Sequence, residues 1–263
     1  MRTSRIKAKL RRNEPVLVPA LHLNDPAVFE LASLFGFDGL WLDMEHQCRS
    51  VETAGQLVRA ARCGTSDVMI RCAKGEFLRL GRMLEIGAQG IMYPRCDNAD
   101  EAREVVRWAK FAPLGTRGVD SAGADNPYCL MPLAEYLKAA NDETFLVIQI
   151  EDPAALEHCE EMAKVPGVDV LFFGPGDFSI LSGFPGQWDH PKIMEAMQRI
   201  AAAAKAAGIH WGMPSFNPEF AKKIYDLGGR FLCNGNDQQL LRAGFDDLQQ
   251  RYKPLGMTFE RRF

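Results

Sequence analysis

Two carboxylates in this chain each follow a run of buried-strand character by only a step. They are Glu151, in Gln149-Ile150-Glu151, and Asp177, in Phe173-Gly174-Pro175-Gly176-Asp177. Carboxylates from neighbouring strands, with no cysteine or histidine in the same motifs, suit a hard or intermediate divalent ion that keeps several positions open. Mg²⁺, Mn²⁺ or Co²⁺ fits that description. Gly174 and Gly176 let backbone N–H groups come close to a ligand at the turn. A third strand end supplies Asp43, Glu45 and His46, and a fourth supplies Arg71. His46 can carry a proton near neutral pH, with Asp43 to orient it. Arg71 offers a planar donor fork for an enolate or carboxylate oxygen.

Each of these signals alone is ambiguous. A strand-end aspartate is more often a helix N-cap than a ligand; Asp97 or its neighbour Asn98 is read as capping the helix that runs to Lys110, and Asp97 and Asp237 are left as caps rather than ligands. His22, His158, His190 and His210 lack acidic or basic company and are read as structural. The functional reading rests on several strand ends bringing reactive groups at once.

The elements that must position them recur along the chain. Apolar runs beginning at Val16, Gly39, Asp67, Gly90, Phe145, Val168, His210 and Phe231 read as strands, and amphipathic stretches between them read as helices. Gly36, Gly87, Gly167 and Gly228 each end a helix just before a strand, the position where glycine suits a helix C-terminus. About eight such β/α units in 263 residues predict one (β/α)₈ TIM barrel spanning 1–263, with the chemistry at the C-terminal strand ends. No G-x-G-x-x-G follows the first strand to favour a dinucleotide fold. The segment from Phe111 to Asn126, rich in glycine and proline, reads as a long functional or mobile loop.

Composition sets the outer limits. Net charge −3 and pI near 6.0 give no electrostatic case for nucleic acid or an anionic membrane. The basic N-terminus (Arg2, Arg5, Lys7, Lys9, Arg11, Arg12) alternates with apolar residues and is read as a solvated helix face. Seven cysteines without a C-x-x-C pair read as small buried hydrophobes in a reducing compartment. With no signal-peptide pattern and no membrane-length apolar run, a cytoplasmic location is expected.

Five linked motifs also carry a family resemblance. They are Phe37-Asp38-Gly39-Leu40-Trp41-Leu42-Asp43-Met44-Glu45-His46, Ile86-Gly87-Ala88-Gln89-Gly90, Pro113-Leu114-Gly115-Thr116-Arg117-Gly118, Gln149-Ile150-Glu151 and Phe173-Gly174-Pro175-Gly176-Asp177. Together, from roughly the first strand to the last helix, the chain resembles the metal-dependent (class II) pyruvate aldolases of the HpcH/HpaI aldolase/citrate lyase family. The resemblance implies a (β/α)₈ barrel in a homo-oligomer, commonly a hexamer, that exchanges its last helix between subunits. It implies Glu151 and Asp177 as metal ligands, and Gly176 and Asp177 amides on the pyruvate carboxylate with Gln149 nearby. His46 is then the base and Arg71 the enolate stabiliser. Glu85 stands where a carboxylate is expected to reach across an interface and raise the basicity of the histidine. This chain departs from the pattern at Met44, where the family usually has glycine and where bulk would narrow the pocket. It departs also at Gly176, Glu85 and the loop around Asp120 to Tyr128.

The implied reaction is reversible cleavage of a 4-hydroxy-2-oxo acid to pyruvate and an aldehyde, a class II aldehyde-lyase activity. No strand ends in lysine where the site converges, Lys74 lying in a loop beyond Arg71, so no Schiff base is expected. Two other readings remain open on the sequence. One is an acyl-CoA carbon–carbon lyase of the citrate-lyase-β type, and the other a non-catalytic barrel that binds a 2-oxo acid.

Overall fold

The computed structural model describes residues 1–260 and 262. Its strands are β1 (Val16–Leu17), β2 (Ala20–Leu21), β3 (Gly39–Asp43), β4 (Asp67–Arg71), β5 (Gly90–Tyr93), β6 (Phe145–Ile150), β7 (Val170–Phe173), β8 (His210–Pro214) and β9 (Phe231–Cys233). All pair in parallel in one nine-stranded sheet of order β1-β9-β8-β7-β6-β5-β4-β3-β2, with helices between them, a TIM-barrel-like α/β fold. The single first strand expected from Val16 appears as two short ones. Pro19, which has no N–H to donate, interrupts it. β1 pairs with β9 and β2 with β3, although only Val18 and Pro19 separate them in the chain.

Strand periodicity sorts the side chains. Leu40, Leu42, Ile70, Leu146, Ile148, Leu171 and Phe173 pack with the helices in one large core cluster, whereas Trp41, Met69, Met92, Val147, Val170 and Phe172 form a second. Because side chains alternate along a strand, Asp43, Arg71 and Gln149 share the parity of Trp41, Met69 and Val147. The residues with chemistry are therefore the next layer of the inner cluster, at the C-terminal strand ends. Close strand approach limits some positions to glycine: a Cβ on Gly212 would stand 1.7 Å from the Phe231 carbonyl oxygen.

The N-terminal helix Arg5–Arg11 covers the opposite end, where Ile6 joins the inner cluster. Its basic residues are only in part the solvated face expected of them: Arg11 and the following Arg12 are exposed, but Arg5, Lys7 and Lys9 are half-buried and engaged. Lys7 pairs with Asp169 at 3.0 Å, Lys9 with Asp38 at 2.9 Å and Arg5 with Asp38 at 3.0 Å. The pattern was misread because the acids that receive these cations are up to 162 residues away in the chain. Buried Asp67 accepts from the Ser4 hydroxyl and the Ile6 N–H, and burial pushes its carboxyl up to about 6.

Three other local expectations change. Of the two candidate caps it is Asn98 that caps the helix, and Asp97 instead pairs with Lys74 at 2.7 Å. Asn236 caps the last helix, while Asp237 accepts N–H groups from His22 and Leu23 and so ties two loops together. Cys72, Cys96, Cys159 and Cys233 are buried as expected, but Cys48, Cys63 and Cys129 are exposed. The long loop is pinned by Arg117 and Asp125, an ion pair at 2.7 Å whose side chains are 2% and 1% exposed, with the Tyr136 hydroxyl also on Asp125. The last helix, Asp237–Tyr252, buries only Asp237 and leaves Leu240, Leu241, Phe245 and Leu248 exposed. Among the described residues no helix is long and apolar enough to cross a membrane.

Candidate active site

Glu151 leaves β6 two residues after Gln149, on the same face, and their side chains meet: the Gln149 amide donates to Glu151 Oε2 at 2.6 Å. Glu151 Oε1 accepts the backbone N–H of Arg95 at 2.9 Å. Arg95 sits at the exit of β5 with φ +47°, a left-handed conformation that a non-glycine residue adopts only under constraint. Its guanidinium reaches Asp177 at 3.3 Å. Asp177 lies in the first turn of the helix Pro175–Leu181, which begins at Gly174 as the chain leaves β7. A Cβ on Gly174 would come within 2.6 Å of Glu151 Oε2 and 2.9 Å of Gln149 Nε2, so glycine there is what lets Glu151 and Gln149 lie over the turn. Gly176 has open space where a Cβ would be.

On the other side of the cleft, Arg71 binds Asp43 through two parallel hydrogen bonds of 2.9 and 2.7 Å, and Glu45 lies 3.2 Å from its Nε. The guanidinium also stacks over Trp41, 4.8 Å from the ring centre. Burial opposes the Asp43 charge, but the Arg71 hydrogen bonds and charge outweigh it and hold the carboxyl below its usual range. His46 is 62% exposed and its nearest carboxylate is Glu45, with Nε2 to Oε2 at 3.5 Å. Asp43 is thus committed to Arg71, and the expected Asp43–His46 pairing is replaced by Glu45–His46. A strand-end acid two residues from another cannot be assigned by sequence to one partner or the other.

Four carboxylates (Asp43, Glu45, Glu151, Asp177) and two guanidiniums (Arg71, Arg95) meet here, leaving the cluster two charges short of neutral when all are ionised. The imbalance falls on Glu151. Burial, then the negative charges of Asp177 and Glu45, pushes its carboxyl up to about 7. Gln149 Oε1 is a buried acceptor without a partner. Among the described residues no group of three or more His, Cys, Asp or Glu is arranged for a metal, so a cation here would have two protein carboxylates and its other positions open. Unbalanced negative charge, an orphan amide oxygen and an all-oxygen donor set fit an oxygen-preferring divalent ion.

The model of the HpcH/HpaI aldolase/citrate lyase family matches residues 20–243. The chain belongs to this family. It is 34% identical over 237 residues to the hydroxypyruvate/pyruvate aldolase of Delftia acidovorans, covering 90% of this chain and 87% of that one. It is 32% identical over 247 residues to the 4-hydroxy-2-oxo-heptane-1,7-dioate aldolase of Escherichia coli, covering 94% of each. The crystal structure of an HpcH/HpaI aldolase from Desulfitobacterium hafniense superposes with TM-score 0.86 at 30% identity, covering 94% of this chain and 96% of that one.

The family departures sort differently in space than in sequence. Met44 is buried in the helix-side core cluster, one residue out of phase with Asp43, and does not line the cleft. It therefore does not narrow the pocket as expected. Glu85 ends the helix Phe77–Glu85 and lies against the long loop, where its backbone oxygen accepts the Ala124 N–H at 3.0 Å. Burial, with Asp125 and Asp120 adding to it, lifts the Glu85 carboxyl despite Arg117. Within one chain it is not part of the cleft, which is lined by His46, Arg71, Gln149, Glu151, Gly174 and Asp177, with several aromatic residues. Three residues near these groups were missed by sequence reasoning. Arg95 follows a proline with no pattern to mark it, and Trp188 and Phe216 stand in loops where periodicity says nothing.

Proposed function

We propose that this chain is a metal-dependent aldolase that reversibly cleaves a 4-hydroxy-2-oxo acid to pyruvate and an aldehyde. The observation that carries the reading is the pair Glu151 and Asp177 at adjacent strand ends, with the Gln149 amide donating to Glu151 and Arg71 held by Asp43 in the same cleft. Glu151 and Asp177 would hold Mg²⁺, Mn²⁺ or Co²⁺. When bound, such an ion supplies Lewis-acid polarisation of the 2-oxo group, the function a Schiff-base lysine serves elsewhere.

The residues of the chain perform the rest. Gly174 and Gly176 leave the turn open for the substrate carboxylate to approach the backbone amides of Gly176 and Asp177. In cleavage, His46 takes the proton from the C4 hydroxyl, the C3–C4 bond breaks with its electrons going to C3, and the aldehyde departs. Arg71, fixed by Asp43, faces the negative charge that develops on the oxo oxygen, and fixed donors cost no reorganisation at that moment. Glu45 lies beside His46, its Oε2 3.5 Å from Nε2, and can orient the ring. The proton held on His46 then passes to C3, which gives pyruvate and returns the base.

The wider architecture is proposed as one closed (β/α)₈ barrel domain over 1–263, the first strand joining both sheet ends. The exposed apolar face of Asp237–Tyr252 suits exchange between subunits of a homo-oligomer such as a hexamer, in which a neighbour's Glu85 can serve His46. A cytoplasmic location accords with this metabolic role.

The test is exchange of the pyruvate methyl protons in D₂O, followed by NMR. Exchange is expected with Mn²⁺, is abolished by EDTA, and falls by about 10²–10⁴ in His46→Asn, the usual range for losing a general base. Borohydride reduction in the presence of pyruvate is expected to leave no adduct; a lysine-linked one would overturn the mechanism. Pyruvate binding without any exchange would instead favour a non-catalytic barrel.

A further inference from the structure

Beyond the carboxylates, the same cleft has a wall of a different kind. Trp188, from the loop following the helix Pro175–Leu181, stacks on Phe216, from the loop following β8, with ring centres 4.8 Å apart and planes at 26°. Phe216 packs in turn on Phe220 at 5.1 Å. Trp188 is 36% and Phe216 40% exposed, so the pair is braced yet keeps ring surface bare at the mouth of the cleft. Trp41 and Phe172, edge to face at 6.0 Å, continue the aromatic lining.

The cleft holds about 280 Å³, near the small end of ligand pockets. A second hollow of about 240 Å³ shares Trp41, Pro214 and Phe216 with it. Its other lining includes Ser215, Asn234, Asn236 and Gln239, all uncharged. An aldehyde substituent that extends past Phe216 therefore meets neutral groups. Among the described residues lining either hollow, the only arginine or lysine is Arg71, and it is already engaged by Asp43 and Glu45. Charge counts the same way. The cluster of four carboxylates and two guanidiniums is neutral once a divalent ion is added, and singly negative with pyruvate present. A second anionic substrate would add to that excess with no unengaged arginine or lysine among the described lining residues to receive it.

We propose that the Trp188–Phe216 wall is the aldehyde subsite and that it selects uncharged aldehydes with a flat aromatic or unsaturated group over aldehydes with a distal carboxylate. The inference rests on the aldolase reading and extends it to the second substrate. In the synthetic direction the pyruvate methyl loses one proton, its carbon bonds to the aldehyde carbon, and the aldehyde oxygen gains a proton. The product, a 4-hydroxy-2-oxo acid, has its C4 substituent on the aromatic wall.

The probes are benzaldehyde and succinic semialdehyde, each with pyruvate and Mn²⁺. The wild-type protein is expected to show the higher kcat/KM with benzaldehyde. Trp188→Ala and Phe216→Ala are each expected to lower kcat/KM for benzaldehyde about tenfold, chiefly through KM, with the ratio over succinic semialdehyde falling in step. Trp188→Phe keeps a ring in place and is expected to restore most of the preference. As a reference, Phe35→Ala, at an exposed ring remote from the cleft, keeps the wild-type ratio. A wild-type preference for succinic semialdehyde, or equal losses for both aldehydes in Trp188→Ala, overturns the inference while leaving the aldolase reading in place. Absence of pyruvate proton exchange in the wild-type protein overturns both.

Discussion

Glu151→Gln tests the charge imbalance at the centre of the site through stability. In the metal-free protein the Glu151 carboxyl stands at about 7 against a reference of 4.5. A raised acid keeps its proton in the folded state through a window in which the unfolded chain has released it. The resulting stability is therefore complete below pH 4.5 and is lost as pH rises through about 7. At ~1.4 kcal/mol per unit of difference, the loss between pH 5 and pH 8 comes to about 2.5 kcal/mol.

Glutamine does not titrate, so the variant lacks this slope. Its amide also faces the Arg95 N–H and the Gln149 amide, a penalty that is the same at both pH values and cancels in the comparison. The assay is urea denaturation of EDTA-treated protein at pH 5 and pH 8. The variant's stability relative to wild type is expected to be about 2.5 kcal/mol more favourable at pH 8 than at pH 5. Saturating Mn²⁺ is expected to flatten the wild-type slope, because a bound cation favours the ionised carboxylate. A double difference under ~0.5 kcal/mol, within the error of such extrapolations, would refute an uncompensated carboxylate at this position.

Two further substitutions probe the surroundings. Gly174→Ala forces Glu151 and Gln149 aside and is expected to weaken Mn²⁺ binding about 10–100-fold by calorimetry, whereas Gly176→Ala, whose Cβ meets nothing, is expected to change it little; equal affinities in both would remove Glu151 from the ligand set. Arg117→Met leaves Asp125 as a nearly fully buried carboxylate without its partner and is expected to cost about 3–5 kcal/mol in urea denaturation, with Asp125→Leu added to it recovering part of the loss. A loss below ~1 kcal/mol would mean that the ion pair does not hold the long loop.

Much of the sheet was legible because β3, β4, β6 and β7 are apolar on both faces and end in groups that interrupt the pattern. The same alternation that marks Trp41 and Val147 as inner residues carries Asp43 and Gln149 to the open end. Partner choice was less legible. Asp43 takes Arg71, 28 residues on, instead of His46 three residues away, because both lie on the inner face of paired strands. Arg95 reaches Asp177 across 82 residues from a backbone conformation that no local pattern announces. Met44 is a related case: bulk where the family usually has glycine implies a narrower pocket, whereas strand alternation turns the side chain into the helix-side core. Trp188 and Phe216 belong to loops, and their stacking depends on how two separate turns approach.

The split first strand bears on how the chain is made. Val16 and Leu17 find their partners, Phe231 and Leu232, 215 residues later. At ~5–20 residues per second, the beginning of the chain leaves the ribosome about 10–40 s before the residues that flank it exist. Ala20 and Leu21 meet Trp41 and Leu42 far sooner, so one side of the strand can zip up early while the other stays an unpaired edge. Pro19, whose carbonyl accepts the Trp41 N–H at 2.9 Å, belongs to the side that pairs early, and the brevity of the two pieces leaves the waiting edge little to recruit a stray strand with.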